Sequence, residues 1–297
     1  MKKNLQIKNN IHKNYLKKNY TKKISRYFQK YIKEIIDNID RSRETYNVLS
    51  NDFKFNFNFK DIKKFKNFKT IAIIGMGGSI LGSEAIYNCF KKKIKKKVYF
   101  FDDIDSDKII SFKKKENISK TLFLVISKSG NTTETLSNLL SINIIKKKSK
   151  NIILISEKNN NVLSFLAKKF NLFFIEHKKH IGGRFSVLSE VGIVPAYLMG
   201  INIVKLRKNL KKYLFNKDKN LLKDNSIKLT NLLNQERFTN LIFLNYVPQL
   251  EKFLYWCQQL ISESLGKNAK GFLPIVSNAP KDHHSLLQLY LDGPKDK

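Results

Sequence analysis

An α/β fold, with a mostly parallel sheet covered by helices on both faces, is what this sequence predicts. Three observations lead there. Short β-branched and aromatic runs recur from residue 71 onward, amphipathic stretches of helix length separate them, and several of the intervening turns are rich in glycine and hydroxyl side chains. Runs of that length alternating with helical segments indicate βαβ units whose strands are buried on both faces.

In chain order, residues 1–65 are lysine-rich and put Ile24, Tyr27, Phe28, Tyr31, Ile32, Ile35 and Ile36 at helical spacing, which predicts a basic helical N-terminal arm. Across 66–201, the runs IAII (71–74), VYFF (98–101), TLFLVI (121–126), IILIS (152–156) and LFFI (172–175) predict the strands of a first, complete α/β unit. Residues 202–235 return to a lysine-rich helical pattern, a connection with surface turns expected near 216–225. In 236–297, LIFLNY (241–246), a long helix and FLPIVS (272–277) read as the start of a second α/β unit. The chain stops at Lys297 before such a unit could close its sheet, so this unit is expected to be partial and the product a fragment or a truncated one.

Composition narrows the class. A chain of 297 residues, 42% hydrophobic and 12% aromatic, with 12 Gly and 5 Pro, has material for a sizeable core, which excludes wholesale disorder and collagen-like repeats. Its two cysteines, Cys89 and Cys257, lie far apart with no CxxC spacing, arguing against a disulfide framework or a cysteine-ligated zinc and for a reducing compartment. No stretch approaches the roughly 18 apolar residues that span a bilayer, so a cytoplasmic protein with no membrane partner is expected. The net charge, 57 − 24 = +33, would ordinarily raise nucleic acid as a partner. Yet the excess is almost all lysine; the arginines are only Arg26, Arg41, Arg43, Arg184, Arg207 and Arg237. Bidentate readout of phosphates and bases leans on arginine. Lys, Asn, Ile and Phe share A/T-rich codons, so a genomic base bias accounts for the charge and no specific nucleic-acid partner is expected.

Open parallel sheets bind ligands at the carboxyl ends of their strands. After IAII comes Gly75-Met76-Gly77-Gly78-Ser79-Ile80-Leu81-Gly82, a turn whose free backbone N–H groups favour an anion. It lacks the Gly-Lys-Ser/Thr ending of a nucleotide phosphate loop, and Ile80 stands where a dinucleotide fingerprint needs its third glycine, although Asp102 and Asp103 follow at a suggestive distance. After TLFLVI, Ser127-Lys128-Ser129-Gly130-Asn131-Thr132-Thr133-Glu134-Thr135 crowds hydroxyls and a lysine into a helix start, which suits a phosphate monoester. An ordinary hydroxyl N-cap is the plainer alternative. In Gly182-Gly183-Arg184-Phe185-Ser186 the glycines allow close backbone approach, and the arginine could stabilise developing negative charge or serve as an ordinary ion-pair partner.

The helix after Pro248 carries an apolar stripe, Leu250, Phe253, Leu254, Cys257, Leu260 and Ile261, expected to be buried. Gln259 and Glu263, four apart, share a neighbouring face, with Glu263 in the last turn before the capping Gly266. Glu263 is the candidate general base. His283 and His284 are read as an extended pair pointing apart, so they are not expected to chelate one metal; one serves as an acid/base candidate. His12, His177 and His180 are expected at the surface.

Taken together, GMGGSILG (75–82), SKSGNTTET (127–135), GGRFSVLSEVG (182–192), QLISESLGKNAKG (259–271) and HSLLQ (284–288) resemble the glucose-6-phosphate isomerase (phosphoglucose isomerase) family in its bacterial form. The resemblance runs in family order from about residue 70 to the end. It implies the sugar isomerase (SIS) fold, a three-layer αβα sandwich, with active sites shared across a homodimer and neither metal nor organic cofactor. By the same resemblance, Ser127, Lys128, Ser129 and Thr132 would hold a sugar phosphate, with Gly78 and Ser79 lining the pocket. Glu263 would move a proton between C1 and C2 through a cis-enediol, Arg184 would stabilise the enediolate, and Gln259 would position the sugar. His284, followed by Ser-Leu-Leu-Gln, matches the ring-opening histidine better than His283. The family's ring-opening lysine, in a C-terminal helix, has no matching segment before Lys297. The implied reaction is reversible isomerisation of glucose 6-phosphate and fructose 6-phosphate. The alternatives are a catalytically silent sugar-phosphate-binding regulator, which would need no proton-transfer residues, and a dinucleotide oxidoreductase, which Ile80 disfavours.

Overall fold

The computed structural model describes residues 8, 10–41, 43–147, 149–215, 218–294 and 296. The apolar runs become strands β1 (Thr70–Ile74), β2 (Lys97–Phe101), β3 (Thr121–Ile126), β4 (Ile152–Ser156) and β5 (Phe173–Glu176), joined in one sheet of order β2-β1-β3-β4-β5. Every pairing is parallel. All residues of β1, β3 and β4 are buried, which is why these strands are written as unbroken apolar runs rather than alternating ones. Successive side chains serve two separate cores. Ile71, Ile73, Leu122, Leu124, Ile153 and Ile155 pack into one, and Ala72, Ile74, Phe123, Val125, Ile152 and Leu154 into the other.

Helices close both faces. Among the described residues the α-helices are α1 (Lys18–Asn38), α2 (Phe59–Ile62), α3 (Leu81–Phe90), α4 (Ser106–Lys115), α5 (Thr133–Ile142), α6 (Val162–Phe170), α7 (Glu190–Leu198), α8 (Ile203–Arg207), α9 (Asp218–Leu233), α10 (Glu251–Leu265) and α11 (Leu287–Asp292). Ile86 of α3 and Val191, Val194 and Leu198 of α7 cover the first face; Ile109 and Phe112 of α4, Leu139 of α5 and Leu163 of α6 cover the second. The result is a three-layer αβα sandwich. Strand order reverses between β1 and β3, so the turns after these two strands open a crevice at the carboxyl edge of the sheet.

A second, two-stranded parallel sheet pairs β6 (Asn240–Asn245) with β7 (Leu273–Asn278), with α10 as the crossover between them. The apolar stripe of α10 is half-buried, not buried: none of its residues is fully covered, and Leu250 is 38% exposed. The reason is that α10 rests mainly on α3 and β7, which shield part of its perimeter.

Helix α1 of the N-terminal arm packs on α9 of the helical connection, whereas Ile203 and Leu206 at the start of that connection join the first core. Phe28, Ile32, Ile35 and Ile36 of α1 pack with Leu214 and Leu222, so α1 and α9 lie against each other. Asn231, fully buried, accepts the Lys17 N–H at 3.1 Å and donates to the Lys17 carbonyl and the Thr21 hydroxyl, both at 2.9 Å. The expected surface turn near 216–225 is replaced from Asp218 onward by α9; residues 216 and 217, like residues 1–7 and 9 of the arm and 295 and 297 at the other end, lie outside the described residues. At the arm's other end, Phe57, Phe59, Ile62 and Phe65 join the first core, so this stretch belongs physically to the sheet. Among the described residues, no helix is long and apolar enough to cross a membrane.

Candidate active site

The crevice between β1 and β3 is a cleft of about 670 Å³ lined by the two strand-end turns, the Gly183-Arg184 turn, Glu157, Asn159, Gln259 and Glu263. Two glycines make its backbone path feasible. Gly78 approaches the third turn so closely that a Cβ there would lie 2.3 Å from the Gly183 carbonyl carbon. Gly130, at φ +69°, leaves room for the Asn161 amide, whose Oδ1 would be 2.0 Å from an added Cβ.

The hydroxyl turn divides its labour. Ser127, 1% exposed, accepts the Gly130 N–H at 3.1 Å and lies 2.9 Å from the Thr132 hydroxyl, so it sits beneath the turn and holds it. Ser129, Asn131 and Thr132 line the cleft, with Thr132 at the N-cap of α5. Together with the helix's unpaired N–H groups they form a neutral cradle for an anion. Lys128 also lines the cleft, but its ammonium donates to the Lys179 carbonyl at 2.9 Å and pairs with Glu157 at 3.5 Å.

On the opposite wall, α10 presents the chemistry. Glu263 accepts from Gln259 Nε2 at 2.7 Å through one oxygen and from Arg184 Nη1 at 3.2 Å through the other. Arg184 Nε donates to Ser264 at 2.9 Å, and its guanidinium lies over the Phe185 ring. A Cβ on Gly77 would be 3.0 Å from Gln259 Nε2, so this amide sits directly above the first glycine turn. The helix is pinned to the sheet unit by Lys252, 3.2 Å from Glu84, whose carboxyl is pushed upward chiefly by burial, with Lys252 opposing.

Gly78, Ser79, Lys128, Ser129, Thr132, Arg184, Gln259 and Glu263 therefore meet in one cleft. His284 does not join them: it is exposed in a 3-10 turn, Lys281–His284, beyond β7. That turn corrects the extended pair expected from the sequence, because Asp282 accepts the Asn278 N–H at 2.6 Å and folds the chain back. His283 bonds the Tyr246 hydroxyl at 2.9 Å. His177 is a second correction: it is 1% exposed, and burial, aided by the nearby Lys128 ammonium, pushes its imidazole down to about 4. Glu157 and Asn159 were missed as site residues; their signal is position, immediately after β4 at the carboxyl edge. Among the described residues, no three His, Cys, Asp or Glu side chains converge as a metal-ligand set.

A parallel sheet sandwiched by helices, a hydroxyl cradle at its switch point and a carboxylate–arginine pair across from it make this an α/β protein with an anion-binding cleft at the carboxyl edge of its sheet. Residues 58–273 match the profile of the family described as Phosphoglucose isomerase, and the chain belongs to that family. It is 37% identical over 256 residues to the glucose-6-phosphate isomerase of Methanocaldococcus jannaschii, covering 83% of this chain and 63% of that one. With the glucose-6-phosphate isomerase of Carboxydothermus hydrogenoformans it shares 33% over 260 residues, covering 78% and 56%. The chain thus spans about three fifths of the length of these relatives. Two solved structures share the fold. One is a hypothetical protein of Thermus thermophilus (TM-score 0.74, 23% identity, 94% of this chain and 71% of that one). The other is a glucose-6-phosphate isomerase of Chlamydia trachomatis (TM-score 0.64, 22% identity, 79% and 50%).

Proposed function

We propose that this cleft isomerises glucose 6-phosphate and fructose 6-phosphate reversibly. The observation that carries the reading is Glu263, with one oxygen on Arg184 and the other on Gln259, facing the hydroxyl cradle across the cleft. In this reading Ser129, Thr132 and the N-terminus of α5 bind the phosphate, Ser127 holds their turn in shape, and Gly78 and Ser79 supply the adjoining wall. Lys128, released from Glu157, adds a positive charge. A bound sugar's hydroxyl meets Gln259, whose Oε1 has no partner among the described residues.

The ring opens first, because the C2 proton is acidic only when C1 is a free aldehyde. Glu263 then takes that proton while the C1 oxygen gains one, giving the cis-enediol. Its negatively charged transition state is stabilised by Arg184. Return of a proton from Glu263 to C1, with loss of the proton on the C2 oxygen, gives the ketose. One carboxylate reaches both carbons with little motion. Ring opening falls to His284, delivered to the cleft by a second copy of the chain in a homodimer. The same reading places the protein in the cytoplasm, where Cys89 and Cys257 remain thiols.

The test is conversion of fructose 6-phosphate together with solvent-proton exchange at its C1 and at C2 of glucose 6-phosphate. Glu263→Gln should abolish both while 6-phosphogluconate still binds. Turnover within tenfold of the parent, about 1.4 kcal/mol of barrier, would assign the base elsewhere. Ligand binding by the parent with no C2 exchange would favour a silent sugar-phosphate regulator.

A further inference from the structure

The chain has one tryptophan, and the reaction above makes no use of it. Trp256 lies on α10, half-buried at the edge of the core that holds β1 and β3 and edge-on to Phe253 at 5.7 Å. Its indole N–H donates to the main-chain oxygen of Arg184 at 2.9 Å. Residues 256, 260 and 264 succeed one another along a single helix face, and Ser264 at the far end accepts Arg184 Nε at 2.9 Å. Helix α10 therefore grips Arg184 at its carbonyl, at Nε and, through Glu263, at Nη1.

That carbonyl is where the grip matters. Arg184 follows Gly182 and Gly183, which have no side chains to brace the turn, and the Cβ position of Gly183 meets only the Gly78 Cα, at 4.0 Å. Ser186 on the Gly183 carbonyl and the Phe185 N–H on the Gly182 carbonyl hold the glycine pair itself, but a small rotation at the Arg184 carbonyl grows along the long side chain. Indole suits this role, because its N–H is a single donor on a rigid ring that packing already fixes.

We infer that Trp256 is a positioning residue, whose indole N–H holds the Arg184 carbonyl so that the guanidinium is aligned with the negative charge developing beside Glu263. The inference rests on the reading that Arg184 meets the enediolate. Two ligands isolate that contact: arabinonate 5-phosphate carries a carboxylate where the enediolate would form, and arabinitol 5-phosphate lacks it. Trp256→Phe should lose about tenfold in affinity for the arabinonate and stay within twofold for the arabinitol. Amide exchange across 183–186 should rise at least tenfold. Phe253→Leu, which loosens the same packing but keeps the donor, should lower thermal stability and change neither readout. Equal loss of both ligands, loss of neither, or unaltered exchange in Trp256→Phe overturns the role of Trp256. Failure of the parent to bind either ligand overturns the sugar-phosphate reading instead, and the exchange measurement then decides Trp256 alone.

Discussion

Gly78 and Gly183 meet backbone to backbone, and the contact is one-sided: a Cβ on Gly78 would lie 2.3 Å from the Gly183 carbonyl carbon, whereas one on Gly183 would find its nearest neighbour at 4.0 Å. Ser186 ties the same two turns together, donating toward both the Gly78 and the Gly183 carbonyls. Gly78→Ala must therefore push main chain against main chain. It should cost about 1–3 kcal/mol of stability and most of the affinity for 6-phosphogluconate, read by thermal unfolding and calorimetry. Gly183→Ala should unfold within a few degrees of the parent.

The hydroxyls of the anion turn should separate by role. Thr132→Ala removes a donor facing the cleft, and with it the bond to the Ser127 hydroxyl, and should weaken 6-phosphogluconate binding by about 1.5–3 kcal/mol with a smaller loss of stability than Ser127→Ala. Ser127→Ala removes the buried acceptor of the Gly130 N–H and should lower stability by about 1 kcal/mol as well. An identical profile for the two variants in calorimetry and melting would refute the division.

Glu157 sets a carboxylate in a cleft assigned to an anion and occupies Lys128 at 3.5 Å. Glu157→Gln should leave the ammonium with its bond to the Lys179 carbonyl but no paired carboxylate and remove a like charge, so 6-phosphogluconate should bind several-fold more tightly at low salt. The gain should shrink toward 1 M salt as screening grows. Weaker binding at low salt would mean that Glu157 supports the turn instead.

His177 makes the fold acid-sensitive. Its imidazole titrates near 4 when folded and near 6.5 when free, so protons bind the unfolded chain preferentially. The stability it permits is whole above about pH 6.5 and falls as pH drops toward 4, by about 3 kcal/mol across the window. Burial raises the carboxyls of Glu84 and Glu190, which act in the opposite sense. The readout is thus the difference between parent and His177→Leu in urea unfolding at several pH values. The leucine variant should lose less stability between pH 6.5 and 4.5.

Strands were the most legible part of the sequence. IAII at 71–74 became Thr70–Ile74, and TLFLVI at 121–126 became Thr121–Ile126, because a strand packed between layers is written in apolar residues. The turns at their ends were legible as well, since glycine and hydroxyl residues answer to local geometry. Pairings across long separations were not. Helical spacing in α1 announced an apolar face without naming α9 as its partner, and the same rule overstated the burial of Leu250. His177 misled because it follows Glu176 and precedes two lysines, a charged setting that conceals a side chain folded inward. Ser127 and Ser129 are indistinguishable in a string of letters. Only the fold places one beneath the turn and the other in the cleft.

The clasp between Lys17 and Asn231 also sets an order of events during synthesis. These residues are 214 apart, so at about 5–20 residues per second the ribosome needs roughly 10–40 s to deliver the second after the first. Strands β1 to β5, all contained within 70–176, emerge in that interval and can pair. Helix α1 is made before the strands and docks late, and until α9 arrives its Phe28, Ile32, Ile35 and Ile36 lack the Leu222 contact they have in the finished protein. A segment made before the sheet therefore finds its place after it, and its apolar face is the one a chaperone would meet.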